Sequence, residues 1–146
     1  MKSEISRLSS KDFEEGERIA ALQDVYAVVE EVDIELIGEG PPYFNVLTRQ
    51  MGDVGLLDAS ISPMAPQRTR AQASGGKEDF VLAFITDGHV SFEPANGVCL
   101  EVGAGEAYLG INTRASRHRL YGNPKFFDVV IPRSVLLPLV KDVDRV

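Results

Sequence analysis

The chain has 146 residues, 44% of them hydrophobic, and a formal net charge of −7. This length and apolar content predict one domain with a single core. The acidic balance argues against a protein that grips nucleic acid by itself, because phosphate contact needs a basic surface. Cys99 is the single cysteine, which excludes an internal disulfide and is typical of a reducing compartment. The start shows no signal-peptide pattern and no apolar stretch is long enough to span a bilayer, so we expect a cytoplasmic protein without membrane contact.

The amino-terminal region is predicted to be a flexible segment followed by a helix. Residues 1–9 are polar and are expected to be flexible. Ser10 is the expected N-cap of the helix, since acidic residues follow it in the first turn. One apolar stripe then recurs at helical spacing over Ile19, Leu22, Tyr26 and Val29.

Further along, the hydrophobic pattern changes to a period of two, which is typical of strands. Gly52-Asp53 and Asp87-Gly88 are predicted hairpin turns, and Gly103-Ala104-Gly105 is a predicted sharp bend. Residues 80–86 are almost continuously apolar, so both faces of this strand are expected to be covered. The predicted strands are 32–37, 43–51, 54–61, 67–73, 80–86, 89–93, 98–102, 107–111, 118–121 and 126–131.

A meander of short strands must hide its edges, and curling into a barrel does this. We therefore predict a mostly β fold, an antiparallel β-barrel with a helix at each end, in a single domain over residues 10–146. The closing helix is expected from residue 134 to 140, after Pro132 ends the last strand.

The residues that would make such a barrel catalytic are scarce. His89 and His118 belong to no His-x-His pair, so a metal site is not expected, and we predict no cofactor. Cys99 has no histidine nearby in the sequence, and no Gly-x-Ser-x-Gly segment is present. The glycines at 103–105 are followed by a strand and by no lysine, which is unlike a phosphate loop. The sequence favours a protein that is not an enzyme.

The barrel interior is the remaining candidate for a binding site. An apolar cavity with a few polar groups is the usual form of a small-molecule site. The alternative, that the inward side chains fill the core, is equally open at this point. A local basic cluster, either a solvated loop or an anchor for an anionic ligand group or an acidic partner surface, consists of Arg114, Arg117, His118 and Arg119. The side chains predicted to point inward and to bind a ligand are Tyr43, Arg49, Arg70, Phe84, Phe92 and Tyr108.

Four short segments carry a family resemblance. Residues 80–88 (FVLAFITDG) match a central strand and turn, and residues 100–106 (LEVGAGE) match an apolar strand before a Pro-Gly-Asp corner, which reads Ala-Gly-Glu here. Residues 67–69 match an Arg-Thr step into the first barrel strand, and residues 130–133 a Pro-Arg step into the closing helix. In this order, over about residues 13 to 141, they resemble the cupin-like amino-terminal domain of AraC-type transcriptional regulators. That family's first-helix tryptophan corresponds to Leu22.

The resemblance implies a double-stranded β-helix barrel that senses an effector, dimerises, and is attached to a carboxy-terminal pair of helix-turn-helix motifs. DNA would then be contacted only through that second part, which this chain does not include. We expect a small-molecule effector and a homodimer. The alternatives are a stand-alone cupin-type enzyme, such as an isomerase or dioxygenase, and a protein-interaction module with a filled barrel. The apolar side chains near the carboxyl end exceed what one short helix can bury, which predicts dimerisation through Val135, Leu136, Leu139, Val140 and Val143.

Overall fold

A computed structural model describes residues 4–29, 32–75, 78–95 and 97–141. Within these ranges most of the chain is antiparallel strand, as predicted. The strands are β1 Glu4–Ser9, β2 Asp33–Leu36, β3 Phe44–Met51, β4 Val54–Ile61, β5 Met64–Arg68, β6 Asp79–Pro94, β7 Leu100–Gly103, β8 Ala107–Ile111 and β9 Ser116–Pro132. The helices are α1 Arg18–Val29, α2 Arg70–Gly75 and α3 Arg133–Leu136, with two 3₁₀ turns at Ser10–Asp12 and Glu15–Glu17. No helix in the described part of the chain is long and apolar enough to cross a membrane.

The two long strands β6 and β9 connect the two sheets of the barrel, because each of these strands runs through both sheets. Sheet A has the order β1-β3-β4-β9-β6-β8 and uses residues 125–132 of β9 with 79–87 of β6. Sheet B has the order β2-β5-β9-β6-β7 and uses residues 116–121 of β9 with 89–94 of β6. The core lies between the sheets, closed by α1, and its side chains include Leu22, Phe44 and Met64, each 0% exposed.

The two long strands bend together at a pair of glycines. Gly88 in β6 has φ +78° and Gly122 in β9 has φ +72°, a region that other residues rarely adopt. A Cβ on Gly88 would lie 2.6 Å from the carbonyl oxygen of Tyr121, so the two backbones meet at this point. The prediction of a hairpin turn at Asp87-Gly88 is therefore wrong. The dipeptide forms an irregular bend inside one continuous strand, with register shifts on both sides of Asp87.

The predicted strand at 67–73 is also wrong beyond Arg68. The chain turns there into α2, and a reciprocal pair of hydrogen bonds holds the start of this helix. The backbone N–H of Thr69 donates to Oε1 of Gln72 at 2.8 Å, and the N–H of Gln72 donates to Oγ1 of Thr69 at 3.2 Å. This Thr-x-x-Gln pattern is a capping box, which stabilises a helix N-terminus.

The amino-terminal region differs from the prediction in two respects. Residues 4–9, expected to be flexible, form β1, because their backbone pairs with the edge of β3. Ser9 caps the first 3₁₀ turn instead of Ser10, with its hydroxyl accepting from the N–H of Lys11 at 3.3 Å. The helix α1 begins later than predicted, at Arg18, and its buried Leu22 and Tyr26 belong to the predicted stripe.

The closing helix is shorter than predicted. α3 ends at Leu136, and the chain continues as a turn in which Leu139 is 78% exposed. Val135 and Leu136 are partly buried, whereas Val140 is 39% exposed. Val143, the last residue of the predicted dimerisation set, lies outside the described residues.

Candidate functional site

A partly open cavity lies between the two sheets. It offers about 40 Å³ of space to the centre of a water-sized sphere, which is room for about three waters at roughly 10–15 Å³ each. Its wall is apolar on the side of Val81, Ala83 and Ile85, and Tyr26 of α1 closes one end. This part of the barrel interior therefore keeps a small hollow. The polar side chains that reach this hollow are Arg68, Asn112, His118 and Asp128.

Three neighbouring rings form one side of the cavity, with Phe92 stacked on Tyr108 and tilted against His118. The ring centroids of Phe92 and Tyr108 lie 4.9 Å apart with an interplanar angle of 22°, and those of Phe92 and His118 lie 4.7 Å apart. The period of two explains why they meet, since β6, β8 and β9 each turn one of these residues inward. Rings at these separations attract one another and present a flat surface to a guest.

Arg68 is the most deeply buried cation at the site, with only 4% of its surface exposed. Its Nε donates to the carbonyl oxygen of Arg114 at 2.7 Å, and its Nη1 donates to Oδ1 of Asn112 at 3.0 Å. Its Nη2 donates to the carbonyl oxygen of Ile111 at 3.0 Å and to Oγ of Ser116 at 3.3 Å. A single guanidinium from β5 thus holds residues 111–116, which we call the β8–β9 loop, across this end of the barrel.

His118 is an uncharged ring in this setting. Burial, and to a smaller extent the positive charge of Arg68, lower its pKa from 6.5 to about 3. At neutral pH the imidazole therefore stays neutral, with one nitrogen that donates and one that accepts a hydrogen bond. Together with Asn112 and Asp128, this ring gives the cavity wall polar groups that are able to form hydrogen bonds.

A second, more open chamber of about 170 Å³ adjoins the cavity. It lies at the slot between β7 and β8, each of which pairs only with β6 among the described strands. Leu100 and Ile111 give it an apolar lining, and Arg114 supplies a cation. Phe92, Arg68 and Gly110 line both spaces, so these residues form the wall between the cavity and the outer chamber.

The structure brings two of the six predicted ligand-binding residues, Phe92 and Tyr108, into the cavity wall. The inward direction predicted for the other four is wrong. Phe84 alternates with inward Ala83 and Ile85 and is 41% exposed, and Tyr43 is 48% exposed just before β3. Arg49 is exposed on the outer side of β3, and Arg70 is exposed at the start of α2.

The residues that the prediction missed are the polar ones, above all Arg68. In β5 the alternation of buried Met64, Pro66 and Arg68 places the guanidinium inside the barrel. If the strand had been predicted to end at Arg68, the alternation would have indicated that this side chain points inward. The capping-box pattern of Thr69 and Gln72 was the sequence signal for that strand end. His118 was not predicted to line the cavity, because its position inside the barrel depends on pairing with the distant β6.

The two histidines lie on opposite faces of sheet B. His118 points into the cavity, whereas His89 lies outside, where its ring contacts the carboxylate of exposed Glu101. They therefore cannot bind one metal ion together. Within the described ranges, no three histidine, cysteine, aspartate or glutamate side chains converge in a way that could hold a metal ion. Cys99 is exposed and lies 3.5 Å from the hydroxyl of Ser91.

Comparison with known proteins identifies the fold. The AraC-like transcriptional activator CuxR superposes with a TM-score of 0.80 at 14% identity, over 92% of this chain and 49% of CuxR. The chain has the fold of the part of CuxR on which it superposes. At this identity the likeness establishes the cupin-like fold alone, and the chain spans about half the length of CuxR. No protein-family model and no curated protein matches the sequence.

Two cupins among the other similar structures match less closely. Ectoine synthase from P. lautus has a TM-score of 0.49 at 14% identity, over 61% of this chain and 64% of the enzyme. An RmlC-like cupin from Shewanella frigidimarina has a TM-score of 0.48 at 13% identity, over 79% of this chain and 89% of that protein. Scores of this size carry no conclusion about this chain.

Proposed function

We propose that this chain is the effector-sensing and pairing domain of an AraC-like transcriptional regulator and that it does not catalyse a reaction. The observation that carries the proposal is the likeness to CuxR, which extends over 92% of the chain. DNA contact would come from a helix-turn-helix part outside the sequence studied. The acidic charge of −7 agrees with a domain that does not bind DNA itself.

The effector site would comprise the cavity and the outer chamber together. The cavity alone holds only about 40 Å³, so a small organic effector must also occupy the outer chamber, of about 170 Å³, and displace the ring of Phe92. Arg68 would then couple the binding of an effector to the position of the β8–β9 loop, because the same guanidinium lines both spaces and anchors this loop. An effector that binds the displaced arrangement more tightly shifts the domain toward it. A coupling of about 1–3 kcal/mol is typical of such switches.

A space-filling variant tests the site without removing any polar group. Gly110 lines both spaces, and a Cβ there would meet only the ring of Phe92, at 3.8 Å. Gly110→Leu should therefore fold and block binding. Gly16→Leu adds the same side chain at a glycine with nothing within 4 Å and is the matched control.

The assay is a thermal-shift screen of small acids, aromatics and sugars. A ligand at 100 times its dissociation constant stabilises the protein by about 2.7 kcal/mol, which raises Tm by several degrees in a domain of this size. We expect a hit with the wild type and with Gly16→Leu that Gly110→Leu abolishes. A hit that Gly110→Leu leaves unchanged places the ligand elsewhere, and no hit across the library favours the filled-barrel interaction module.

The rival function is a cupin-type enzyme, whose usual metal ligands converge inside the barrel. Here His118 is the single histidine that lines the cavity among the described residues, and His89 lies outside. Elemental analysis of the purified protein separates the two functions. Stoichiometric iron, manganese or zinc that survives dialysis would overturn the non-catalytic proposal.

A further inference from the structure

The outward side of sheet A is unusually apolar. The strand registers place one residue from each of its six strands in a row, and five of the six are apolar: Ile5, Arg49, Leu56, Val129, Leu82 and Leu109. The neighbouring row contains Phe127 and Phe84 at adjacent positions. We call these two rows the outer face. Their side chains point away from the core, because the residues that alternate with them, such as Leu57 and Ala83, are buried.

Part of this apolar surface is open to solvent. Ile5 is 61% exposed, Phe84 is 41% exposed and Leu109 is 36% exposed. Continuous apolar sequence in residues 80–86 predicted that both faces of β6 are covered. The inner face is covered by the core, whereas the outer face has no cover from the described part of the chain over Phe84. Contiguous apolar patches of more than a few hundred Å² mark interaction sites on soluble proteins.

We propose that a second copy of this chain covers the outer face, with sheet A of one copy packed on sheet A of the other. The charge distribution favours this occupant. The chain carries a formal net charge of −7, but the charged side chains of the two rows are Arg7, Arg49 and Asp58. Contact through these rows therefore brings only one acidic side chain of each copy, Asp58, into the two rows, which limits the repulsion between two acidic molecules.

The two rows form the centre of a larger contact. Six strands at about 4.8 Å give a width of about 24 Å, and two rows that lie two residues apart cover about 7 Å along the strands. They account for roughly 170 Å², against about 800 Å² per partner in an ordinary stable interface, so side chains beside the rows must also take part. We expect Leu137 and Leu139, which follow α3 and are 45% and 78% exposed, to add apolar area to the contact. Packed sheets lie about 10 Å apart with their strands nearly aligned, a geometry that brings Phe84 and Phe127 into the contact.

This contact rests on the proposed function, which requires pairing. Its centre lies on sheet A and not at the carboxy-terminal residues. The carboxy-terminal residues predicted for dimerisation, including Val135 and Leu139, would then lie at its border. The contact can fail while effector binding stands, because Phe84, the residue substituted in the test, lines neither the cavity nor the outer chamber.

Sedimentation equilibrium of the 146-residue chain between about 1 and 200 μM tests the proposal. We expect a concentration-dependent dimer that Phe84→Arg weakens at least about 100-fold. Val98→Arg is the matched control, since Val98 is 82% exposed just before β7 in sheet B and should leave the dimer intact. A monomer at every concentration, or a dimer that Phe84→Arg leaves unchanged, would overturn the proposal. The thermal-shift response to an effector should be the same in Phe84→Arg as in the wild type, so pairing and sensing are scored separately.

A second measurement avoids placing a charge on the face. In a Cys99→Ser background, Phe84→Cys and Val98→Cys each carry one thiol whose reaction with a maleimide is timed. Pairing through the outer face should slow the reaction at position 84 about tenfold between 1 and 200 μM, with no slowing at position 98. Equal rates at position 84 across this range would refute the contact.

Discussion

Replacement of Arg68 by methionine keeps much of the buried stem of the side chain and removes the guanidinium that holds the β8–β9 loop. The variant loses donors to the carbonyl oxygens of Arg114 and Ile111, at 2.7 and 3.0 Å, and to the side chains of Asn112 and Ser116, at 3.0 and 3.3 Å. Hydrogen bonds from a charged donor contribute about 1.5–3 kcal/mol each, and buried acceptors left unpaired add a further cost. The contributions are not additive, because one group makes all of them.

We therefore expect Arg68→Met to lower the free energy of unfolding by about 3–5 kcal/mol, the range found when one partner of a buried charged contact is removed. At roughly 3 °C per kcal/mol, this corresponds to a fall in Tm of about 9–15 °C. The pKa of His118 should rise from about 3, because the neighbouring positive charge is gone, and should stay below 6.5, because the ring remains buried.

Urea denaturation at pH 7.5 and an NMR titration of the His118 ring measure the two effects. Arg70→Met is the matched control, since Arg70 is exposed at the start of α2 and its replacement should change stability by less than about 0.5 kcal/mol. If Arg68→Met costs no more than Arg70→Met, the β8–β9 loop does not depend on the guanidinium. The coupling proposed for the effector site then loses its basis.

Three further predictions follow from single positions. Because His118 has a pKa of about 3 in the folded protein and 6.5 when unfolded, only the unfolded state takes up this proton as the pH falls from 6.5 toward 3. The free energy of unfolding therefore falls by up to about 1.4 kcal/mol per pH unit. Between pH 7.5 and 5.0, the fall measured by urea denaturation should be smaller in His118→Phe than in the wild type. Gly88→Ala should cost about 2–4 kcal/mol, because its Cβ would lie 2.6 Å from the carbonyl oxygen of Tyr121. Gly105→Ala, at φ +88° with nothing within 4 Å, should cost only about 1 kcal/mol, and equal losses in thermal denaturation would contradict the close approach of β6 and β9. Thr69→Ala should cost about 0.5–2 kcal/mol through loss of the capping box, and an unchanged urea midpoint would show that α2 does not need its cap.

Strands bounded by local turns were predictable from the sequence. The predicted ranges 54–61 and 107–111 coincide with β4 and β8. Both have turn residues on each side, and Gly52-Asp53 and Gly103-Ala104-Gly105 act within a few positions of the strands that they end. A turn residue acts on the strand next to it, so the local sequence pattern is sufficient to predict where such a strand ends.

Features that depend on distant partners were not predictable in this way. Asp87-Gly88 is typical of a hairpin turn, and what makes it a bend in one strand is Gly122, which meets it from β9. The continuous apolar run at 80–86 contains no alternation that could show which side faces inward, and Phe84 was therefore assigned to the wrong side. The guanidinium of Arg68 was missed for a local reason, since the end of β5 was placed too late.

Alternate residues of β9 point into the barrel and toward the outer face. Phe126 and Asp128 line the cavity, whereas Phe127 and Val129 belong to the outer face. Substitutions can alter one surface while the other keeps its chemistry. Insertion or deletion of a single residue in this stretch would instead exchange the two sets, turning the carboxylate of Asp128 outward and replacing it inside the barrel with an apolar side chain. Related chains should therefore vary in residue type along this strand while its length between Gly122 and Pro132 stays constant.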